Sequence, residues 1–164
     1  DYSRYIIAWK LCTTMKAGDV TDTLELALDA SGCNSATFVQ KPRLLSDNGS
    51  SYVASDLADY LDEKGMDHVR GAPHHRQTQG KIERWHQTMK NRVLLENYYL
   101  PGDLERQIGT FVDHYNNQRY HESLGNLTPA DVYHGRGVKI LKMREEIKRQ
   151  TFRKRRLQHQ NAAA

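Results

Sequence analysis

Two carboxylates stand where the chain could handle a charged substrate. Asp47 follows Leu44, Leu45 and Ser46, so it falls at the end of a short apolar run. Glu83 lies in Gln79-Gly80-Lys81-Ile82-Glu83-Arg84-Trp85. A carboxylate at a strand end and another on a following helix can converge on a divalent cation. Mg²⁺ takes oxygen ligands and keeps several waters, so few carboxylates suffice when substrate phosphates supply the rest. Two such ions clamp the attacking and leaving oxygens of a phosphodiester. The surroundings of Glu83 suit that substrate. From His75 to Arg92 the basic residues Arg76, Lys81, Arg84, Lys90 and Arg92 stand against Glu83 as the sole acid, a local charge of +4. Such a balance is natural beside a DNA backbone. Each carboxylate also has a plainer reading. Asp47 opens Asp-Asn-Gly, a common turn that an aspartate caps. Glu83 could be a surface glutamate paired with Gln87 or Lys90 along its helix.

These residues need elements to hold them. Arg4–Leu11 (RYIIAWKL) is short, aromatic and β-branched, which predicts a strand. Val20, Leu24, Ala27 and Leu28 recur at helical spacing, with Gly32 as a stop. Arg43–Ser46 is a second strand, cut off by Asp47-Asn48-Gly49. Val53, Leu57, Tyr60 and Leu61 mark a helix closed by Gly65, and Asp67–Arg70 gives a third strand. Gly71–Gly80 reads as a polar loop. A helix then runs from about Thr78 to Glu96, with Gln79, Glu83, Gln87 and Lys90 on one face and Ile82, Trp85, Met89 and Val93 on the apolar one. Pro101-Gly102-Asp103 opens a helix with the stripe Leu104, Ile108, Phe111, Val112 and Tyr115. Thr128-Pro129 reads as an N-cap with proline at the first helical position. Strand–helix alternation followed by helices predicts an α/β sheet domain.

Composition removes several classes. The chain has 164 residues, 38% of them hydrophobic, a length that suits one domain with room for an appendage. No apolar run approaches the roughly 18 residues of a membrane span, and no signal peptide is expected. Cys12 and Cys33 fit neither a disulfide framework nor zinc pairs, and read as small buried hydrophobes. His74, His75 and His86 have no paired spacing for zinc. A reducing intracellular setting is expected. The net charge of +4 is uneven. Lys139–Arg156 holds nine basic residues, Arg153, Lys154, Arg155 and Arg156 among them, and two acids, a charge of +7, so the remainder carries −3. Such a block is a polyanion-binding arm or a solvated helix face.

The motifs together resemble a known family. Asp47 and Glu83 are separated by 35 residues, and Lys90 follows seven after the glutamate. This spacing resembles the second half of the DDE signature of retroviral-type integrases and IS3-family insertion-sequence transposases. Asp1-Tyr2-Ser3-Arg4 with Ala8-Trp9 resembles the family's second and third strands. Ser46-Asp47-Asn48-Gly49 and Gln77-Thr78-Gln79-Gly80-Lys81-Ile82-Glu83-Arg84-Trp85-His86 resemble its two carboxylate motifs. Tyr115-Asn116, Arg119, His121, Leu124 and Thr128-Pro129-Ala130 resemble the end of its domain.

The resemblance implies an α/β RNase H-like mixed sheet flanked by helices, here lacking the first strand and most of the second. It implies a partial catalytic core over residues 1–134 and a basic tail over residues 135–164. Asp47 and Glu83 would be catalytic metal ligands for Mg²⁺ or Mn²⁺. Gln79, Lys81, Arg84, Gln87, Lys90 and Arg153 to Arg156 would meet DNA, and Gly71–Gly80 would be the mobile active-site loop. The implied reaction is DNA transposition or integration by phosphodiester cleavage and strand transfer at insertion-sequence ends. Transposon-end and target DNA would be the partners of a homo-oligomer, with no membrane, in a bacterial cytoplasm beside the nucleoid. The family's first catalytic aspartate precedes the Asp-Tyr-Ser-Arg motif, so the chain is expected to be N-terminally truncated and inactive alone. Arg76 stands where many relatives have proline, which would loosen the loop. A competing reading is a non-catalytic DNA-binding or assembly fragment of a decayed or truncated transposase. An RNase H-like nuclease of other function would not need Lys90 or the Tyr-Asn…Thr-Pro-Ala tail.

Overall fold

The computed structural model describes residues 2–35, 41–71, 76–93, 95 and 100–162. Their elements are α1 (Ala17–Ser31), β1 (Leu44–Ser46), α2 (Ser50–Val53), α3 (Ser55–Glu63), β2 (His68–Arg70), α4 (Arg76–Val93), α5 (Pro101–Asn117), a 3₁₀ turn (Glu122–Leu124), α6 (Pro129–Tyr133) and α7 (Gly137–Ala162). The chain forms two compact units, Ile7–Phe111 and Asp1–Ile6 with Val112–Ala164.

In the first unit, α1 and α3 bury Leu28, Leu57 and Leu61 around Met66. Val20, Leu24, Leu44, Tyr52 and Tyr60 pack against that cluster. The helical spacing of these residues is what lets one face of each helix reach the core. α1 ends at Gly32, whose φ of 74° is open to glycine without strain. β1 and β2 pair in parallel with Leu44 opposite His68 and Ser46 opposite Arg70. The helix predicted around Val53 and Leu57 is two helices. Ala54 takes extended backbone between them and packs on the core, leaving Val53 half exposed. Cys12 and Cys33 are both free thiols and partly exposed, not fully buried. Leu57 is fully buried. Leu57→Ala is therefore expected to cost about 2–5 kcal/mol, a lost side chain plus an uncollapsed cavity. Chemical denaturation checks this, and a change below about 1 kcal/mol would mean the site collapses freely.

A polar clamp joins α1 to α3 on the surface. The Glu25 carboxylate accepts from the Tyr60 hydroxyl at 2.5 Å, from Lys64 at 3.0 Å and from Asn34 at 3.0 Å. The Tyr60 bond, then Lys64 and Asn34, bring the Glu25 pKa down to about 2 from its usual 4.5. Because the folded value is depressed, the clamp's contribution is complete above about pH 4.5 and disappears as pH falls towards 2. Glu25→Gln should thus lower the melting temperature at pH 7 and leave it nearly equal to the parent's near pH 2. An equal gap at both pH values would assign the effect to packing instead.

In the second unit, Val112, Tyr115, Leu127 and Ala130 are buried. Thr128 caps α6 by accepting from the Asp131 N–H at 3.2 Å, with Pro129 next in the chain. The predicted strand at Arg4–Leu11 does not form; the segment has no regular structure. A strand's backbone groups need a neighbouring strand. Here a side chain takes that place: the Ile6 N–H donates to Asn116 Oδ1 at 2.9 Å, and Asn116 Nδ2 donates to the Ile6 carbonyl at 3.0 Å. The described sheet therefore has two strands, not three. No described helix is long and apolar enough to cross a membrane.

Candidate functional site

Asp47 follows directly on the carboxyl end of β1, where ligand sites of open α/β sheets gather. Three local features hold it there. The Ser46 hydroxyl donates to the Asp47 carbonyl at 2.8 Å, so its oxygen accepts from His68 Nε2 at 2.8 Å across the strand pair. Burial, then Arg70, lower the His68 pKa and keep that ring neutral. Asn48 Nδ2 donates to the Gly71 carbonyl at 2.8 Å, and the Gly71 N–H to the Ser46 carbonyl at 3.0 Å. These bonds tie the Asp47 turn to Gly71, the residue next after β2. Finally, the Gly49 N–H donates to Asp47 Oδ1 at 2.9 Å. A Cβ at residue 49 would sit 3.0 Å from that oxygen, so glycine leaves the turn room to close. The turn role expected of Asp47 is thus realised with one carboxylate oxygen. Oδ2 takes no hydrogen bond from a described residue, and the side chain is exposed.

Glu83 is exposed on α4, as are Arg84, Gln87 and Lys90. Arg84 Nε donates back to the Gly80 carbonyl at 2.9 Å, and Gln87 bonds Asn91 at 2.7 Å rather than Glu83. The side chains of Gln79 and Lys81 lie outside the described residues. α4 starts at Arg76, so residues 76–80 of the loop predicted over Gly71–Gly80 are helical, while residues 72–75, His74 and His75 among them, lie outside the described residues. The apolar face of α4 is shorter than its spacing predicts. Val93 is buried, and Trp85 faces the Phe111 ring of α5 at 6.4 Å, but Ile82 is 57% exposed. The Trp85 indole N–H is buried with no partner among the described residues. Burial, then Lys90, lower the His86 pKa.

Asp47 and Glu83 thus stand on separate elements of the same unit. Among the described residues no group of three or more His, Cys, Asp or Glu side chains is placed to hold a metal ion. Two all-oxygen donors fit a hard cation, which completes its shell with water and phosphate. Arg153, Lys154, Arg155 and Arg156 are exposed on α7, where every residue from Ile147 to Ala162 is exposed. Sequence reasoning did not single out Ser46 and His68 as positioning residues. Their pairing follows from the β1–β2 register, which spacing alone does not reveal.

Two family models described as integrase core domain match residues 1–76 and residues 64–129. The chain belongs to the DDE integrase and transposase cores. It is 28% identical over 132 residues to the transposase for insertion sequence element IS629 of Shigella sonnei, a match covering 80% of this chain. It is also 38% identical over 58 residues to the Gag-Pro-Pol polyprotein of squirrel monkey retrovirus, covering 35% of this chain. The chain spans 43% of the length of that transposase and 3% of that polyprotein. Among solved structures, the catalytic core domain of BIV integrase matches with a TM-score of 0.58 at 21% identity, over 85% of this chain and 84% of that one. The simian T-cell lymphotropic virus intasome in complex with PP2A regulatory subunit B56 gamma matches with a TM-score of 0.61 at 15% identity, over 75% of this chain and 42% of that one. These likenesses show an α/β RNase H-like fold.

Proposed function

We propose that this core serves DNA transposition or integration by metal-dependent phosphodiester cleavage and strand transfer at insertion-sequence ends. The observation that carries it is Asp47, held just after the carboxyl end of a parallel strand with Oδ2 taking no hydrogen bond from a described residue, in a chain of the integrase-core family. Asp47 and Glu83 would hold the cation. Mg²⁺ or Mn²⁺, when bound, neutralises phosphate charge and activates the attacking oxygen. The chain's own residues do the positioning. Gly49 and Asn48 fix the Asp47 turn, and α4 presents Glu83 beside Arg84, Gln87 and Lys90, with Gln79 and Lys81 earlier on the same helix, towards the DNA end. Residues 1–134 act as the core and residues 135–164 as a basic DNA-holding arm. The partners are transposon-end and target DNA, bound by a homo-oligomer in the bacterial cytoplasm.

This reading assigns two carboxylate ligands within the 164 residues, Asp47 and Glu83, and leaves a third to be supplied. A strand-joining assay with insertion-sequence-end duplexes tests this, run on the 164 residues and on a longer polypeptide supplying the third carboxylate. The longer form joins strands and the 164 residues alone do not. An inert longer form would overturn the reading. Joining by the 164 residues, lost on Glu83→Gln, would mean another carboxylate completes the site. Asp1, which lies outside the described residues, is the first to suspect.

A further inference from the structure

A second cationic site lies in the unit formed by Asp1–Ile6 and Val112–Ala164. Arg4 Nη1 lies 3.3 Å from His121 Nδ1. A guanidinium only donates, so Nδ1 accepts and the ring is neutral with its proton on Nε2. Burial, then Arg119 and Arg4, lower the His121 pKa in agreement. His121 is 8% exposed, and its Nε2 has no partner among the described residues. The ring stands edge-on to Tyr115 at 5.1 Å, and Arg119 lies over the Tyr115 ring at 5.6 Å. Two half-buried guanidiniums therefore flank one Tyr–His wall.

No described carboxylate forms an ion pair with either arginine. Asp131, close in sequence, is taken by Arg136 and by the Thr128 cap. A partly desolvated charge without a counter-charge is costly, and the guanidinium fork matches the oxygens of a phosphate. The backbone adds a further sign of purpose. Arg4 has a φ of 59°, a left-handed conformation that costs a non-glycine residue energy. The Ile6–Asn116 clamp two residues on holds the segment that carries this strain. Residues held in such conformations cluster at ligand sites.

The site also adjoins the basic helix. Arg144 of α7 donates to the carbonyls of Asn126 at 2.9 Å and Gly125 at 3.4 Å, while the Asn126 N–H donates to the His121 carbonyl at 2.9 Å. The loop carrying His121 is thus bonded to α7 at Arg144. We propose that Arg4 and Arg119 together bind one phosphodiester of a DNA backbone, against the wall made by Tyr115 and His121. This rests on the reading of the chain as a DNA-strand-transfer core and adds a contact outside the Asp47–Glu83 region.

The test is a salt titration of binding to a labelled random-sequence duplex, with the 164-residue chain and with Arg4→Gln/Arg119→Gln. One lost phosphate contact lowers the slope of log affinity against log salt by about one, so a fourfold rise in salt costs the variant about fourfold less affinity than it costs the parent. An unchanged slope in a variant with parental circular dichroism overturns the proposal. A second measurement uses the unmutated chain and so does not depend on the variant folding. The Arg4 and Arg119 Nε–H resonances should move when duplex is added, and unmoved resonances with bound duplex overturn the proposal. Movement with inorganic phosphate but not with duplex would make this a free-anion site and overturn the DNA assignment. No duplex binding by the parent would instead sink the strand-transfer reading itself.

Discussion

Asp47→Asn and Glu83→Gln are each expected to abolish metal-dependent strand joining in a joining-competent form of the protein, by on the order of 10³-fold or more. Losing one anionic ligand removes several kcal/mol of transition-state charge stabilisation, and each 1.36 kcal/mol is worth about tenfold in rate. Asparagine at residue 47 is the informative choice. The Gly49 N–H donates to Asp47 Oδ1, and an asparagine carbonyl accepts that bond equally well. The turn therefore survives while the charge is lost, which separates the turn role from the ligand role. Glu83 is exposed and helical, so glutamine there leaves α4 intact. Joining rates measured with Mg²⁺ and with Mn²⁺ check the expectation. A loss below about tenfold in either variant would leave that residue with its structural role only.

The second large effect concerns α7. Every residue from Ile147 to Ala162 is exposed, and Arg153 to Arg156 lie within that stretch. The helix is anchored earlier, by buried Gly137 and by Arg144 on the Gly125 and Asn126 carbonyls. Neutralising Arg153, Lys154, Arg155 and Arg156 to glutamine therefore leaves the anchor in place and keeps good helix formers. If those four meet phosphates, the salt slope of DNA binding falls by about 3–4. Binding should weaken alike for unrelated sequences, since Phe152 is the only aromatic side chain in the Lys139–Arg156 block and stacking contributes little. An unchanged slope would make the outer half of α7 a solvated helix.

The helices and the Asp47 turn were legible because their signals are local. Helical spacing of Leu24, Leu28, Leu57 and Leu61 marked the faces that meet in the core. Asp-Asn-Gly marked the turn that follows β1. Arg4–Leu11 was misread because β-propensity measures fit to a pleated neighbour. The segment bonds a side-chain amide from residue 116, a pairing that no local pattern reveals. Ile82 was misread for a related reason. Periodicity places it beside Trp85, but only tertiary packing decides how wide the covered face of α4 is. The place of Asp47 just after a strand and of Glu83 on a helix was legible from residue type and spacing. The bonds that hold Asp47, from Ser46, His68 and Gly71, depend on strand register and were not.

We propose that Asp47 and Glu83 hold one cation between them. Mn²⁺ titrated into the isotopically labelled chain with duplex DNA tests it through paramagnetic broadening, which reports only nuclei near the ion. The Gly49 and Arg84 amide signals are expected to broaden together at the same Mn²⁺ concentration, and Asp47→Asn to relieve both. Broadening at one of the two alone, or broadening at Arg84 that survives Asp47→Asn, would contradict it.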